Sequence, residues 1–144
     1  MKIAIRYYGK GKNTETIAKT IGKEINIPVQ TINKELKEEV DILFLGTGVY
    51  GFTIDEEVKK FIKNLDNVKK VAIFSTSAFS LFEKTVYKRI TKLLDKKGIN
   101  YYKEFYYTKG EYSNKNIGKP DKEDLTRAKE FANKIVRGEI NEKF

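Results

Sequence analysis

Short apolar runs alternate with segments of helical period along nearly the whole chain, and this alternation limits the possible folds more than any other feature. Two of the runs, Ile42–Leu45 and Val71–Phe74, are apolar at every position, as in strands that are covered on both faces. Strands that alternate with helices pair in parallel through right-handed crossovers. The pattern therefore predicts an α/β fold with a doubly wound parallel sheet of five strands. The predicted strands are Lys2–Tyr8, Pro28–Ile32, Asp41–Gly46, Lys70–Ser75 and Ile99–Tyr107.

The helical segments carry apolar residues every three or four positions, which predicts four amphipathic helices that each lay one face on the sheet. Residues 33–40 are few and mostly charged, so the second crossover is predicted to be a turn or a brief helix. The apolar positions of the four helices are Ile17, Ile21 and Ile25; Val58, Phe61, Ile62 and Leu65; Phe82, Val86, Ile90, Leu93 and Leu94; and Leu125, Ala128, Ala132, Ile135 and Val136.

Helix boundaries are marked by residues that can satisfy free backbone groups. Asn13 is expected to cap the first helix, and Thr53–Glu56 is predicted to form a capping box for the second. Gly98 is expected to end the third helix. Asp121 precedes the last helix and Asp124 lies in its first turn, where a negative charge is favourable.

The composition restricts both architecture and chemistry. The 144 residues suffice for one core of ordinary size, and no shift in composition marks a linker, so we predict a single domain over residues 1–144. Cys and His are both absent, which excludes disulfides, thiolate nucleophiles and histidine acid–base catalysis. No apolar run reaches the length of a membrane span, and the first residues lack the apolar core of a secretory signal. We therefore expect a cytoplasmic protein without a membrane partner, as a monomer or weak dimer.

The formal charge of +9 admits two interpretations. It can attract an anionic partner, or lysines can simply coat the solvent faces of the helices. Basic pairs such as Lys69-Lys70 and Lys96-Lys97 are short, and they do not alternate with aromatic residues as in a groove for single-stranded nucleic acid. Nucleic-acid binding is therefore the less favoured interpretation.

The first predicted strand leads directly into Gly9-Lys10-Gly11-Lys12-Asn13-Thr14, which in turn opens a helix. A strand, a glycine-rich turn and a helix N-terminus together present backbone N–H groups and a positive dipole end to a phosphate. A dinucleotide-binding fingerprint fits poorly because Thr14 stands where its third glycine belongs. The chain also contains no P-loop motif.

Two further strand exits carry small, hydroxyl and aromatic residues. They are Thr47-Gly48-Val49-Tyr50-Gly51 after the third strand and Ser75-Thr76-Ser77-Ala78-Phe79 after the fourth. In an open doubly wound sheet, ligands bind outside the carboxyl ends of the strands where the strand order reverses. We therefore expect the three exits to share one binding site.

With these loops and the segment Glu15–Lys19, the chain resembles the short-chain flavodoxins over nearly its whole length. The resemblance implies a three-layer sandwich whose parallel sheet has the order 2-1-3-4-5. It also implies that FMN binds with its phosphate in the first loop and its flavin ring between the other two loops. The segment Gly118–Leu125 resembles the approach to the last helix in a flavodoxin-like subgroup.

The first loop departs from the family pattern at three positions. Gly9 and Gly11 replace hydroxyl residues, and Lys12 replaces a glycine. Each lost hydroxyl removes a charge-assisted hydrogen bond to phosphate worth about 1–3 kcal/mol. The charges of Lys10 and Lys12 offset part of this loss, so FMN is expected to bind with reduced affinity.

Two aromatic residues, Tyr50 and Phe79, are the candidates for flanking the flavin ring by stacking. In the alternative interpretation each ring only fills space between a loop and a helix. Phe52 and Phe82 are predicted to belong to the core.

The resemblance implies a non-catalytic electron carrier rather than a stand-alone oxidoreductase, with no catalytic side chain and no metal of its own. It would dock transiently with a redox partner protein, and the charge of +9 favours an acidic partner. The alternative is a flavin-free interaction module in which Lys12 and Phe79 close the pocket.

Overall fold

The computed structural model describes residues 1–143 and contains a central parallel sheet with helices on both faces. The strands are β1 (Ile3–Tyr8), β2 (Val29–Thr31), β3 (Val40–Gly48), β4 (Val68–Ser77), β5 (Asn100–Tyr101) and β6 (Tyr106–Lys109). The helices are α1 (Asn13–Ile25), α2 (Glu56–Lys63), α3 (Thr85–Lys97) and α4 (Lys122–Val136), with a 3-10 turn at Ser80–Phe82.

The sheet order β2-β1-β3-β4-β5 confirms the predicted flavodoxin-like topology. All of its strand pairs are parallel. The order reverses between β1 and β3, which pair from Ile3 with Ile42 to Tyr8 with Thr47. The carboxyl ends of these two strands are therefore the place where a ligand is expected.

The fifth strand differs from the prediction because the segment Ile99–Tyr107 divides into two short strands. β5 and β6 both pair with β4, and the Tyr102 N–H still donates to the Val71 carbonyl of β4 at 3.0 Å, but residues 103–105 leave the sheet. Here the chain instead pairs with its own C-terminal segment. Tyr102 forms an antiparallel bridge with Glu142, and the Lys103 N–H donates to the Asn141 carbonyl at 2.8 Å.

Strands β3 and β4 extend further than predicted. Thr47 pairs with Ser75 and Gly48 pairs with Thr76, so these positions continue the sheet and are not loop residues. Ser77 also belongs to β4. The longer strands carry these polar side chains to the edge of the sheet in a fixed register.

Each face of the sheet has its own core. Helices α1 and α4 cover the face that carries Phe44 and Phe74, whereas α2 and α3 cover the face that carries Leu43 and Leu45. Gly46 pairs with Phe74 of the neighbouring strand, and an added Cβ there would lie 2.0 Å from Cε2 of Phe74. The ring of Phe74 therefore occupies the space that any side chain at this position would need.

The helix boundaries agree with the sequence at two of the four caps. Gly98 ends α3 with φ of +70°, and Asp121 forms a capping box with Asp124 at the start of α4. The predicted box at Thr53–Glu56 is wrong, because Asp55 is the N-cap of α2 and accepts from the Glu57 N–H at 2.9 Å. The predicted cap Asn13 is also wrong, because it lies inside α1 and binds elsewhere.

The crossover from β2 to β3 contains no helix in the part of the chain that the structure describes, as its charged sequence indicates. Its residues 33–39 are held by Arg6, whose buried guanidinium donates from Nε to the Lys34 carbonyl at 3.0 Å.

Candidate functional site at the carboxyl end of the sheet

Four chain segments meet where parallel strands leave the same edge of the sheet. They follow β1 (residues 9–12), β3 (49–55), β4 (78–84) and β6 (110–121). The sequence indicated the first three, and the structure brings them to one edge. The β6–α4 loop, residues 110–121, was not among the predicted site segments, because ligand-binding residues were predicted only after the first, third and fourth strands. The sequence feature that could have indicated this loop is the run of turn-forming residues after the fifth predicted strand, whose carboxyl end lies at the same edge of the sheet.

The N-terminus of α1 is left open toward this edge. Among residues 1–143, no side chain caps its first turn. The side-chain amide of Asn13 turns away and donates from Nδ2 to the Glu111 carbonyl at 3.0 Å. Thr14 is buried, and its hydroxyl lies 2.9 Å from that of Thr76. The first-turn N–H groups and the positive end of the helix dipole therefore remain available to an anion.

Two lysines flank this open helix end. Lys10 and Lys12 are both exposed, and Lys10 pairs with Asp55 at 3.5 Å. The Glu57 N–H is the main cause that holds the pKa of Asp55 below its ordinary value, and the nearby Lys10 lowers it further. Lys12 thus brings its positive charge to the loop, while part of the charge of Lys10 is balanced by α2.

Tyr50 crosses from the β3 exit to the first loop. Its hydroxyl oxygen accepts from the backbone N–H of Lys10 at 2.8 Å, and the Lys10 ammonium lies 4.6 Å from the ring centroid. The ring also makes an edge-to-face contact with Tyr8 at 6.0 Å. Burial raises the pKa of Tyr50, so its hydroxyl is neutral over the physiological range. The predicted ring-flanking residue is therefore seated against the first loop.

The β3 exit is shaped by a tight turn from Tyr50 to Thr53. Both residues exchange backbone hydrogen bonds, at 3.0 and 3.4 Å, and Gly51 adopts a φ of +67° that L side chains rarely take. Phe52 at the tip of the turn is 72% exposed, so its predicted place in the core is wrong. The turn lies beyond the end of β3, and α3 contacts it through Arg89, which donates to the Phe52 carbonyl at 3.2 Å and leaves the ring exposed.

An exposed aromatic cluster links the β3 and β4 exits. The centroid of Phe82 lies 5.2 Å from that of Phe52 and 6.4 Å from that of Phe79. Phe79 is 45% exposed, and the neighbouring Leu81 is 79% exposed. We refer to Phe52, Phe79 and Phe82 as the aromatic cluster. Phe82 is half-buried and joins neither core, so its predicted place in the core is also wrong.

The last residues of β4, before its exit, include one buried polar atom without a partner in the described part of the chain. Within the described residues, the Ser75 hydroxyl makes no hydrogen bond although the residue is only 1% exposed. Two residues on, the Ser77 hydroxyl lies 2.6 Å from that of Tyr107 and donates to the Phe79 carbonyl at 2.8 Å. The backbone of this exit is thus held firmly while Ser75 retains an unused hydroxyl.

The β6–α4 loop closes the site on the remaining side. Asn116 donates from Nδ2 to the Ala78 carbonyl at 2.7 Å and to the Gly110 carbonyl at 3.2 Å. Gly110 fits against Asn13 so closely that an added Cβ would lie 2.2 Å from Nδ2 of that residue. The Lys115 ammonium lies 5.4 Å from the Phe79 ring centroid. The loop therefore connects the first loop to the β4 exit.

The donor set fits FMN, the cofactor that the family resemblance implies. The phosphate requires N–H donors and positive charge, and the uncapped start of α1 with Lys10 and Lys12 supplies both. The bond from the Lys10 N–H to a tyrosine oxygen shows that this loop already presents a donor to an oxygen acceptor. No group of acidic side chains that could hold a metal ion occurs within residues 1–143.

The predicted site residues occupy different positions relative to this edge. Gly9, Lys10, Gly11, Lys12 and Asn13 form the first loop and the start of α1. Val49, Tyr50, Gly51, Ala78 and Phe79 lie in the two other loops. By contrast, Thr14, Thr47, Gly48, Ser75 and Thr76 are buried. Thr47 donates to the Gly48 carbonyl at 3.1 Å, so its hydroxyl is used within the strand.

None of the helices that the structure describes is both long and apolar enough to cross a membrane.

Comparison with known proteins agrees with this architecture. An uncharacterized protein of Methanocaldococcus jannaschii is 34% identical over 139 residues, which cover 88% of this chain and 91% of that protein. A solved flavodoxin from the domain Archaea matches with a TM-score of 0.76 at 17% identity, over 96% of this chain and 98% of that one. Oxidised flavodoxin 2 from Bacillus cereus matches with a TM-score of 0.74 at 24% identity, over 96% and 99%. At such identities, these two structures show the fold alone.

The flavodoxin domain model matches residues 4–119, which is most of the chain. This range includes all but the first residue of β1, the strands β2 to β6, the helices α1 to α3 and the first three exits of the site. The chain therefore belongs to the flavodoxin family of flavin-binding redox proteins.

Proposed function

We propose that this protein binds FMN at the carboxyl end of its sheet and carries electrons between a reductase and an acceptor protein. The observation that carries the proposal is the open N-terminus of α1, where backbone donors have no side-chain cap within the described residues. Two exposed lysines stand beside these donors. Such a combination favours a phosphate dianion over a neutral ligand.

The first loop would hold the phosphate mainly through its backbone. Gly9 and Gly11 provide no hydroxyl, and Thr14 already shares its hydroxyl with Thr76. N–H groups do not depend on side-chain identity, so the loss of hydroxyl residues leaves them in place. Lys10 and Lys12 add positive charge, and their contribution falls as the salt concentration rises.

The flavin ring would lie between the β3 and β4 exits. Tyr50 and Phe79 stand on these two exits and can flank a flat aromatic ring, once Tyr50 has turned away from the first loop. Gly51 has a positive φ, and because glycine lacks a Cβ, the peptide between Tyr50 and Gly51 can rotate without the steric clash that a side chain would cause. The unpartnered Ser75 hydroxyl lies at the same edge.

FMN supplies the redox chemistry when bound, because it accepts and releases one or two electrons. The protein's own residues bind and orient it, and the site needs no catalytic acid or base. The flavin-free alternative requires Lys12 and Phe79 to close the pocket. Both side chains are exposed, which gives that alternative no support.

The partner is proposed to be an acidic redox protein. The aromatic cluster offers an apolar surface beside the proposed ring position, and an excess of nine positive charges over negative ones steers acidic proteins toward this chain. Electron exchange with an acidic redox protein should therefore slow as salt is added, because screening weakens the attraction.

The decisive experiment is titration of the apoprotein with FMN, followed by the quenching of flavin fluorescence. Saturable one-to-one binding, with a weaker response to riboflavin, supports the proposal because riboflavin lacks the phosphate. If the apoprotein binds neither flavin, the proposal is contradicted, and the flavin-free interaction module becomes the favoured function. The colour of the freshly purified protein gives an independent result, since bound oxidised flavin is yellow.

A further inference from the structure

Tyr50 and the first loop are joined by a hydrogen bond that uses a donor of the proposed phosphate site. The backbone N–H of Lys10 donates to the Tyr50 hydroxyl oxygen at 2.8 Å. Lys10 lies between Gly9 and Gly11, in the loop that leads into the open end of α1. The tyrosine oxygen therefore stands where an oxygen of a bound anion would accept the same bond.

Several contacts hold Tyr50 in this position. The Lys10 ammonium lies 4.6 Å from the ring centroid, and the ring of Tyr8 meets it edge to face at 6.0 Å. Gly48 provides the space, since an added Cβ there would lie 3.3 Å from the Tyr50 oxygen. The residue itself is only half-buried and belongs to the exposed turn at 50–53, so its side chain has room to leave.

We propose that the Tyr50 hydroxyl is an internal ligand of the first loop, which a phosphate must displace in order to bind. Tyr50 thereby lowers the affinity of the free first loop for a phosphate. This inference rests on the proposed function, because it takes FMN as the ligand of the site. It assigns Tyr50 a competing role in the free protein, in addition to the ring-flanking role that follows its release.

The physical basis is a competition for one N–H donor. In the free protein the donor is already satisfied, so a phosphate gains only the difference between its own hydrogen bond and that of the tyrosine. A phenylalanine ring can occupy the same space without accepting the bond. The exposed Lys10 N–H then bonds to water until an anion arrives, and the phosphate no longer has to displace the tyrosine.

The test compares Tyr50→Phe with the wild type for three probes: FMN, riboflavin and inorganic phosphate. We expect Tyr50→Phe to bind FMN and inorganic phosphate roughly three- to tenfold more tightly, as one hydrogen bond predicts. Riboflavin affinity should rise by a similar factor, since the flavin ring also requires Tyr50 to leave the Lys10 N–H, and inorganic phosphate alone reports the competition at the first loop. Flavin binding is followed by fluorescence, and phosphate binding by protection of the apoprotein against thermal unfolding.

The matched control is Tyr101→Phe, which makes the same chemical change in β5, at a position that pairs with Val71 near the start of β4. The Tyr101 hydroxyl donates to Asp95 at 3.0 Å, outside the four segments of the site, so the affinities of this variant should match those of the wild type. Circular dichroism and urea unfolding of both variants establish that they fold.

The other outcomes separate the two proposals. If Tyr50→Phe binds FMN and phosphate as tightly as the wild type or more weakly, the internal-ligand assignment is overturned. If only these two probes bind more weakly, the Tyr50 hydroxyl donates a hydrogen bond to the phosphate. Weaker binding of both flavins assigns Tyr50 to the ring alone. If the wild type binds no FMN, the proposed function fails, while the inorganic phosphate titration still decides whether the hydroxyl competes for the loop.

Discussion

The hydroxyl groups of Thr14 and Thr76 lie 2.9 Å apart in the interior, and each residue is less than 5% exposed. This hydrogen bond joins the first turn of α1 to the carboxyl end of β4, across 62 residues of sequence. It sets the position of the proposed phosphate loop relative to the strands that would hold the flavin ring.

Replacing Thr76 by Val should destabilise the apoprotein by about 1–3 kcal/mol, because the buried Thr14 hydroxyl is left without its partner. The double variant Thr14→Val with Thr76→Val should lose less than the sum of the single variants, since it leaves no unpaired hydroxyl. Urea unfolding of the four proteins measures the coupling. Thr126→Val, on the exposed face of α4, is the control and should be nearly neutral. Strict additivity would show that the bond contributes nothing.

Lys12→Gln should weaken FMN binding about twofold to fivefold at low salt, because it removes a positive charge beside the helix N-terminus. Lys23→Gln makes the same change in the last turn of α1, about 16 Å further along the helix, and should have a much smaller effect. The difference between the variants should shrink as salt is added. Tighter binding by Lys12→Gln would show instead that the long side chain obstructs the site.

Gly46→Ala should destabilise the protein by about 1–3 kcal/mol through overpacking, because the new Cβ would lie 2.0 Å from the Phe74 ring. The control is Gly11→Ala, whose Cβ would meet nothing within 4 Å. Combining Gly46→Ala with Phe74→Leu should recover part of the loss by making room. If urea midpoints show that the smaller residue at 74 gives no recovery, the contact is not the cause.

Stability should fall with acid partly through Asp121, whose pKa is lowered from 3.8 to about 2 by the Asp124 N–H and by the ammonium of Lys119. A carboxyl group with a lowered pKa stabilises the fold above its ordinary pKa, and this contribution is lost as the pH falls from about 4 to about 2. Asp121→Asn, which retains an oxygen acceptor for the cap, should therefore lose less stability than the wild type over that interval. Glu130→Gln, on an exposed position of α4, serves as the control. Parallel acid-unfolding curves for all three proteins would contradict the assignment.

The fold follows from local periodicity to a large extent. Fully apolar runs gave β3 and β4, and the spacing of isoleucines gave α1, because burial on one or two faces leaves a repeating pattern in the sequence. The roles of Gly98 and Asp121 at helix ends could also be predicted, because a left-handed residue or a capping carboxylate acts within one helical turn.

The features that escaped prediction depend on residues distant in sequence. Asn13 has the composition of a helix cap, but its amide binds the carbonyl of Glu111, 98 residues away. The fifth strand is interrupted at Tyr102 because the C-terminal segment pairs there. The first loop and Tyr50 were both predicted as site residues, yet no local pattern places the hydroxyl of one on the backbone of the other.

The position of α4 has a consequence for where this protein can be cut. The flavodoxin domain model ends its match at residue 119, before α4 begins. Yet Ile17 and Ile21 of α1 share their core with Ala128, Phe131 and Ile135 of α4. A polypeptide shortened to residues 4–119 would expose this apolar face of α1 to solvent, and such a fragment should aggregate on expression. The range that the domain model matches is thus shorter than the range that this chain needs in order to fold.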